Sequence, residues 1–365
     1  MTKVLIYGAG AIGRGFLAPL LSAQQCEIAF VDTNAVLIEQ LRARKRYRAA
    51  IAAADRYLFQ EVPVMAAYHP GEERARIGDF ELVILCVGPR ACLSLASQIA
   101  HARVVISCEN DRSSAIKLRQ LSGNERVYFG IPDVITSNTA PEEFLREDPL
   151  TVVSEQGTLF LESGDYQVPA DIRQLDTAGI DEQWACKLYL HNSPHCMVAY
   201  LGAQRQYRYV HDAMADAQID QIAVGAMEEL KAGVTFAGLV GRELADYYAE
   251  KELRRFRNPR LFDPISRVAR EPLRKLAKGE RLIGAAHLAL YAGVRPANIC
   301  AGIRAALEYC NPADPDVALP ILRQALGTGE VLRMIANLSE FDPLRRIVEE
   351  HDENTVSHYS HPSRA

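Results

Sequence analysis

The 365-residue sequence has no apolar run that reaches the roughly 18–20 residues of a membrane span. It also has no close pair of cysteines. Eight cysteines stand at 26, 86, 92, 108, 186, 196, 300 and 310, with no CxxC among them. Zinc sites are built from close ligand pairs, so no metal is expected. A chain this long does not need disulfide staples, and the thiols read as reduced and mostly buried. Met1-Thr2-Lys3-Val4 enters a strand pattern without the apolar stretch of a signal peptide, so a cytoplasmic location is expected. Positive charge is not in excess. The net charge of −5 disfavours nucleic acid or an anionic membrane as a partner. Any anionic ligand must then be met by a local basic cluster. Internal repeats and coiled-coil heptads are absent as well.

What is present divides the chain in two. Its length exceeds what single cores usually reach, so two domains are expected: residues 1–180 and residues 181–365. The fold class is α/β, with an N-terminal Rossmann-type dinucleotide-binding domain and a mainly α-helical C-terminal domain. Lys3 to Tyr7 is a β-rich run followed by Gly8-Ala9-Gly10-Ala11-Ile12-Gly13. Gly8, Gly10 and Gly13 form a G-x-G-x-x-G between a strand and a helical pattern that starts near Phe16, and Ile12 lies inside the turn. Glycines there permit a tight turn and close backbone approach to a pyrophosphate, which the helix N-terminus then faces. Asp32 closes the next strand, 24 residues after Gly8, where an acid receives the ribose hydroxyls. A carboxylate there repels a 2′-phosphate, so NAD is expected rather than NADP.

The α/β rhythm continues through apolar runs at 82–87 and 104–107, typical of strands buried on both faces. Helices are expected over 36–46 and 93–100. Asn110 follows the strand at 104–107, at the sheet edge where ligands bind. It reads either as an amide donor to a substrate or as an Asx-turn residue. Asp133, in Gly130-Ile131-Pro132-Asp133, reads as a loop carboxylate. Residues 176–182 are polar and mark the passage to the second domain. Beyond it, helical periodicity covers 184–202, 212–232, 236–254, 265–277, 280–292, 296–310 and 315–326, with Gly233, Gly238 and Gly241 punctuating one junction. The tail from 349 holds His351, His358 and His361 and reads as frayed.

Two stretches of the second half carry chemistry. Lys187, Asn192 and His195 fall near about 0°, 140° and 80° on a helix wheel, one side of a helix. An amine, an amide and an imidazole there suit proton transfer beside a developing oxyanion. An exposed lysine and a satisfied core histidine are the bland alternatives. The second stretch is basic: Arg254, Arg255, Arg257, Arg267, Arg270, Arg274, Lys275, Lys278 and Arg281. On a helix over 265–277, Arg267, Arg270 and Arg274 share a face. They read either as an anion site or as a solvated face paired with Glu271 and Glu280.

With these motifs in hand, the chain resembles the polyol-specific long-chain dehydrogenase/reductase family, over residues 3 to about 310. The family's Lys-x4-Asn-x2-His is matched by Lys187, Asn192 and His195. Cys108-Glu109-Asn110, Ala199-Tyr200-Leu201-Gly202, Gly225 to Glu229, Arg255 to Pro259 and the run Arg267 to Leu282 are similar too. The last is close to the branch that uses sugar-alcohol phosphates. The resemblance implies metal-free, NAD-dependent interconversion of a sugar-alcohol phosphate and a ketose phosphate, of the mannitol 1-phosphate and fructose 6-phosphate type. Lys187 would be the general base, Asn110 and Asn192 the oxyanion donors, and His195 the residue that holds the substrate oxygen or orients Lys187. Arg270, Arg274 and Lys275 would bind the substrate, and the protein would act as a monomer. An interdomain cleft is the expected place for these groups. An unphosphorylated polyol, a hexuronate, or a turnover-free NAD sensor are the alternatives. Two departures stand out. Pro194 replaces the family's small residue before the histidine, which predicts a kink or a local break. Ser137-Asn138 stands where the family has an Asp-Arg pair before a proline, which bears on the substrate more than on the reaction.

Overall fold

The computed structural model of the chain describes residues 1–53, 55–168 and 172–356; at residues 75 and 351–356 only the backbone is described. His358 and His361 of the tail lie outside the described residues, as does the side chain of His351. The chain forms two units: Met1–Trp184 with Arg260–Phe262, and Ala185–Pro259 with Asp263–Ala365.

The first unit holds two sheets. Its strands, in chain order, are β1 (Lys3–Tyr7), β2 (Glu27–Val31), β3 (Arg46–Ala52), β4 (Tyr57–Pro63), β5 (Ala66–Tyr68), β6 (Leu82–Leu85), β7 (Val105–Ser107), β8 (Val127–Asp133), β9 (Thr136–Ser137), β10 (Val152–Glu155), β11 (Thr158–Glu162) and β12 (Arg173–Leu175). The large sheet runs β12-β11-β8-β7-β6-β1-β2-β5. From β5 to β8 its strands are parallel, and β11 joins antiparallel to β8. Both faces of β1 are buried: Val4 and Ile6 enter one core cluster, Leu5 and Tyr7 the other. That is why its sequence is continuously apolar rather than alternating. Strand order reverses between β1 and β6, so the crevice beyond their carboxyl ends is the ligand edge.

Of the smaller sheet, β4-β3-β10-β9, the sequence pattern shows β10, as the β-like run at 150–153, but not β3 or β4. Periodicity carries a helix to Arg46; the helix Ala35–Arg44 instead stops at Lys45, whose φ of 54° is left-handed, and the chain turns into β3. Polar residues 177–182, expected as a passage, belong to the helix Thr177–Ala185.

In the second unit, the helices Ser193–Gln204, Ala217–Phe236, Arg242–Phe256, Ile283–Tyr291 and Ala297–Leu307 pack on one another. Two further helices, Thr328–Ala336 and Pro343–Val356, lie beyond the expected last one. Gly233 is not a break. It sits inside Ala217–Phe236, where an added Cβ would lie 2.8 Å from the backbone of Leu288 and Ala289, so glycine allows that helix crossing. Glu229, one turn before it, caps the helix Ala297–Leu307 by accepting from the backbone amides of Asn298 and Ile299, both at 2.9 Å.

Candidate functional site

The glycine turn is built against its neighbours. Gly8 has a φ of 101°, and a Cβ there would sit 2.5 Å from the carbonyl oxygen of Cys86. At Gly13 it would sit 1.9 Å from the carbonyl of Gly8. Gly10 has nothing within 4 Å, so its open side is the one a pyrophosphate can approach. Ile12 is half-buried against the core. Asp32 closes β2 as expected and accepts from Ala9 N at 2.7 Å and Asn34 N at 2.8 Å, which fixes its carboxylate beside the turn. The helix after the turn opens into a π segment, Gly13–Leu17. Arg14, not singled out by its sequence, lies buried there. Its Nε donates to Ala9 O at 2.6 Å and its Nη1 to Leu150 O at 2.5 Å, tying the turn to the chain that precedes β10.

Glu109, a neighbour of Asn110, accepts from Val87 N at 2.8 Å and Gly88 N at 2.9 Å and so shapes the loop after β6. Burial pushes its carboxyl up to about 7, against those two amides. Asn110 itself is exposed just beyond β7. Asp133 is not on a loop: it ends β8 and is buried. Ser137 donates to the Phe262 carbonyl at 2.7 Å, a structural role for the position where the family carries an acid-arginine pair.

Lys187, Asn192 and His195 are all buried, which removes the exposed-lysine alternative. The turn carrying them is not a plain α-helix. Cys186–Asn192 is π-helical, closed by bonds five residues apart, and Ser193–Gln204 continues as α-helix. A π turn winds more widely than the 3.6 residues per turn of an α-helix, so the angle of about 140° between Lys187 and Asn192 on an α-helical wheel does not hold. This is the form taken by the break that Pro194 predicts. Pro194 falls in the first turn of the following helix, where its missing N–H is not required. Ser193 Oγ lies 3.0 Å from Leu188 O and 2.5 Å from Arg281 O, so its single proton is shared between a carbonyl of the wide turn and a distant one.

Electrostatics around the turn are strong. His191 Nδ1 is 2.5 Å from Glu252 Oε2, and Arg255 Nη1 is 2.6 Å from Glu252 Oε1. Burial lowers His191 to about 4 despite the pull of Glu252, so it is neutral near pH 7. His195 stacks on Phe256 at a centroid distance of 4.9 Å. Its Nε2 lies 2.9 Å from Asp263 Oδ2, at a distance for an ion pair but off the line of a hydrogen bond, and neither atom has another partner. Burial pushes Asp263 up, but Arg267 and His195 outweigh it and hold the carboxyl below its ordinary range. Asn192 Nδ2, Tyr200 Oη and Arg281 Nη2 are likewise buried without a hydrogen-bond partner among the described residues. Buried polar atoms are nearly always paired, so such a cluster marks a place made for a ligand.

The basic block does not form one helix. Ile265–Val268 and Pro272–Lys275 are separate short helices, and Glu271 between them has a φ of 57°. Pro272 disfavours the helical conformation at the residue before it, so Arg267, Arg270 and Arg274 do not share a helical face. Arg267 pairs with Asp263 at 2.5 Å and Arg274 with Glu271 at 3.0 Å, while Arg270 is exposed. Lys275 is 4% exposed, donates to the Val268 carbonyl, and lies 5.3 Å from the centre of the Tyr200 ring. Glu252 and Asp263 do not stand out in the sequence as site residues, and Arg281 stands out only as a member of the basic block. Only their sequence distance from the Lys187 turn hides them; nothing local distinguishes a buried acid from a solvated one.

Residues 2–121 match the family model described as the mannitol dehydrogenase Rossmann domain, and residues 180–325 the one described as the mannitol dehydrogenase C-terminal domain. A mannitol-1-phosphate 5-dehydrogenase of Brevibacillus brevis is 30% identical over 373 residues, covering 94% of this chain and 96% of the relative. Another of that name, from an Exiguobacterium species, is 29% identical over 383 residues, covering 95% and 96%. The ternary complex of Pseudomonas fluorescens mannitol 2-dehydrogenase with NAD and D-mannitol has a TM-score of 0.76 at 15% identity, covering 98% of this chain and 93% of that one, a likeness of fold. The chain belongs to the mannitol dehydrogenase family.

Proposed function

We propose that the protein is an NAD-dependent oxidoreductase that interconverts a sugar-alcohol phosphate and a ketose phosphate, of the mannitol 1-phosphate and fructose 6-phosphate type. The observation that carries this reading is the π turn that buries both Lys187 and Asn192, with the Asn192 amide donor left without a hydrogen-bond partner among the described residues. The relatives named as mannitol-1-phosphate 5-dehydrogenases support the phosphorylated substrate.

The Gly8–Gly13 turn would hold the pyrophosphate of NAD and Asp32 its ribose hydroxyls. When bound, NAD supplies the acceptor for the hydride that leaves the alcohol carbon. The chain's own residues handle the proton and the charge. Lys187 Nζ takes the hydroxyl proton as the alcohol becomes a carbonyl, and returns it in the reverse direction. Asn192 Nδ2 donates to the oxygen as negative charge builds on it, and Asn110 is the proposed second donor. His195, its ring fixed by Phe256 and its Nε2 turned to Asp263, orients the oxygen and the lysine. Lys275 binds the anionic end of the substrate, with Arg270 and Arg274 as further cations.

An unphosphorylated polyol is the second reading. The ion pair between Arg274 and Glu271 favours it, since it leaves one cation fewer for a phosphate. The test is NADH formation from NAD with mannitol 1-phosphate and with mannitol, in the wild type and in Lys187→Ala. Turnover of the phosphorylated substrate, abolished in the variant, is the expected result. Better turnover of mannitol overturns the phosphate assignment, and no turnover with either polyol overturns the enzyme assignment.

A further inference from the structure

Arg281 is a buried guanidinium with almost no acid of its own. It is 4% exposed, and among the described residues its one ion-pair carboxylate, Glu280 Oε2, lies 3.5 Å from Nε. Nη2 has no partner. The residue is nevertheless fastened to the Lys187 turn. Its backbone carbonyl accepts from Ser193 Oγ, the residue next to Asn192. The following amide, Leu282 N, donates to Lys275 O at 3.4 Å, which joins Arg281 to the second buried cation. Lys275 pairs with no carboxylate among the described residues; its ammonium meets the Val268 carbonyl and the Tyr200 ring. The Tyr200 hydroxyl is itself buried and unpartnered. Arg281 Nη2 and the Lys275 ammonium are thus buried cationic donors with no carboxylate hydrogen-bonded to them among the described residues, Glu252 and Asp263 being taken up by His191, Arg255, His195 and Arg267.

We propose that Arg281 is the residue that recognises the anionic end of the substrate, its Nη2 edge taking an oxygen of a phosphate monoester, with Lys275 as the second cation. The inference rests on the sugar-alcohol phosphate reading and names the residue that makes the specificity. Two cations suit a dianion better than a single carboxylate, and a guanidinium presents a planar pair of donors to phosphate oxygens. Burial, with Arg281 and Arg274 close by, pushes Lys275 down to about 7, as a cluster of positive charge does when no anion is bound. The backbone carbonyl, not the guanidinium, makes the bond to Ser193, so exchanging the side chain leaves that tie in place.

The experiment uses the full chain with Arg281→Met and Arg281→Lys. Inorganic phosphate is titrated while thermal unfolding is followed, and KM and kcat are measured for mannitol 1-phosphate and mannitol. Phosphate should raise the Tm of the wild type and not that of Arg281→Met. KM for mannitol 1-phosphate should rise at least about tenfold more than KM for mannitol in Arg281→Met, roughly the share of one charge-assisted bond, with part of the loss recovered in Arg281→Lys. An equal rise in both KM values, or phosphate protection undiminished in Arg281→Met, overturns the assignment of Arg281 while leaving the phosphate substrate standing. Wild type that ignores mannitol 1-phosphate overturns the substrate reading, and the phosphate titration then still decides whether Arg281 holds an anion. If Arg281→Met does not fold, the same comparison runs on Arg281→Lys, where full wild-type protection and an unchanged KM pattern despite the lost planar fork contradict the proposal.

Discussion

Lys275 should leave a signature in the pH dependence of stability. In the fold its ammonium is buried, and Arg281 and Arg274 add repulsion, so it gives up its proton near pH 7 rather than at 10.5. The Val268 carbonyl and the Tyr200 ring favour the charged form and are outweighed. Below about 7 both folded and unfolded chains carry the proton, and the cost of the buried charge is constant. Between about 7 and 10.5 the unfolded chain binds more protons than the folded one, so stability rises with pH across this window. At about 1.4 kcal/mol per pH unit, the contribution gained between about pH 6.5 and about pH 9.5 is about 3 kcal/mol. Lys275→Met keeps the volume and removes the titration. Urea unfolding of both proteins across this range, in buffers free of phosphate, gives two curves. Their difference should change by about 3 kcal/mol, with the Met variant equal or superior at the acid end. Parallel curves would refute the burial argument for Lys275.

Two further substitutions probe the parts of the structure that hold the site in place. Gly13→Ala brings a Cβ to 1.9 Å from the Gly8 carbonyl, so the turn must shift. NADH affinity, followed by fluorescence titration, should fall at least about tenfold with a loss of stability of about 1–3 kcal/mol, and wild-type affinity would count against the assignment of the turn. Glu252→Ala removes the buried carboxylate that His191 and Arg255 share. Equilibrium unfolding should show a loss of about 3–5 kcal/mol, and a loss below about 1 kcal/mol would show that the pair is not a buried network.

The parts of the site that are legible from sequence are those coded locally. The glycine turn, Asp32 at the end of β2 and the apolar β6 and β7 depend on neighbours within a few residues, and their pattern survives without tertiary context. Lys187, Asn192 and His195 are recognisable as a set, but their geometry is not. A wheel that places them assumes about 100° per residue, and a π turn winds differently. The helix expected over 265–277 fails at Glu271 because a proline follows it, a restriction that acts on the residue before. In the smaller sheet β10 follows the β-like run at 150–153, whereas the start of β3 is covered by a helical periodicity that carries on to Arg46. The contacts around the Lys187 turn are hidden by distance: Glu252 reaches His191 across 61 positions, and Arg281, legible only as part of the basic block, meets Ser193 across 88. A lone acid or arginine in sequence gives no sign that folding will bury it.

We propose that Lys187 moves the proton in an NAD-linked oxidation of a sugar-alcohol phosphate. The most direct measurement is kcat for mannitol 1-phosphate oxidation in wild type and Lys187→Ala, with NADH affinity determined for both proteins. Removing the base should lower kcat by about 10²–10⁴-fold while the NADH affinity of the glycine turn stays as it is. A Lys187→Ala enzyme that keeps its kcat would contradict the account.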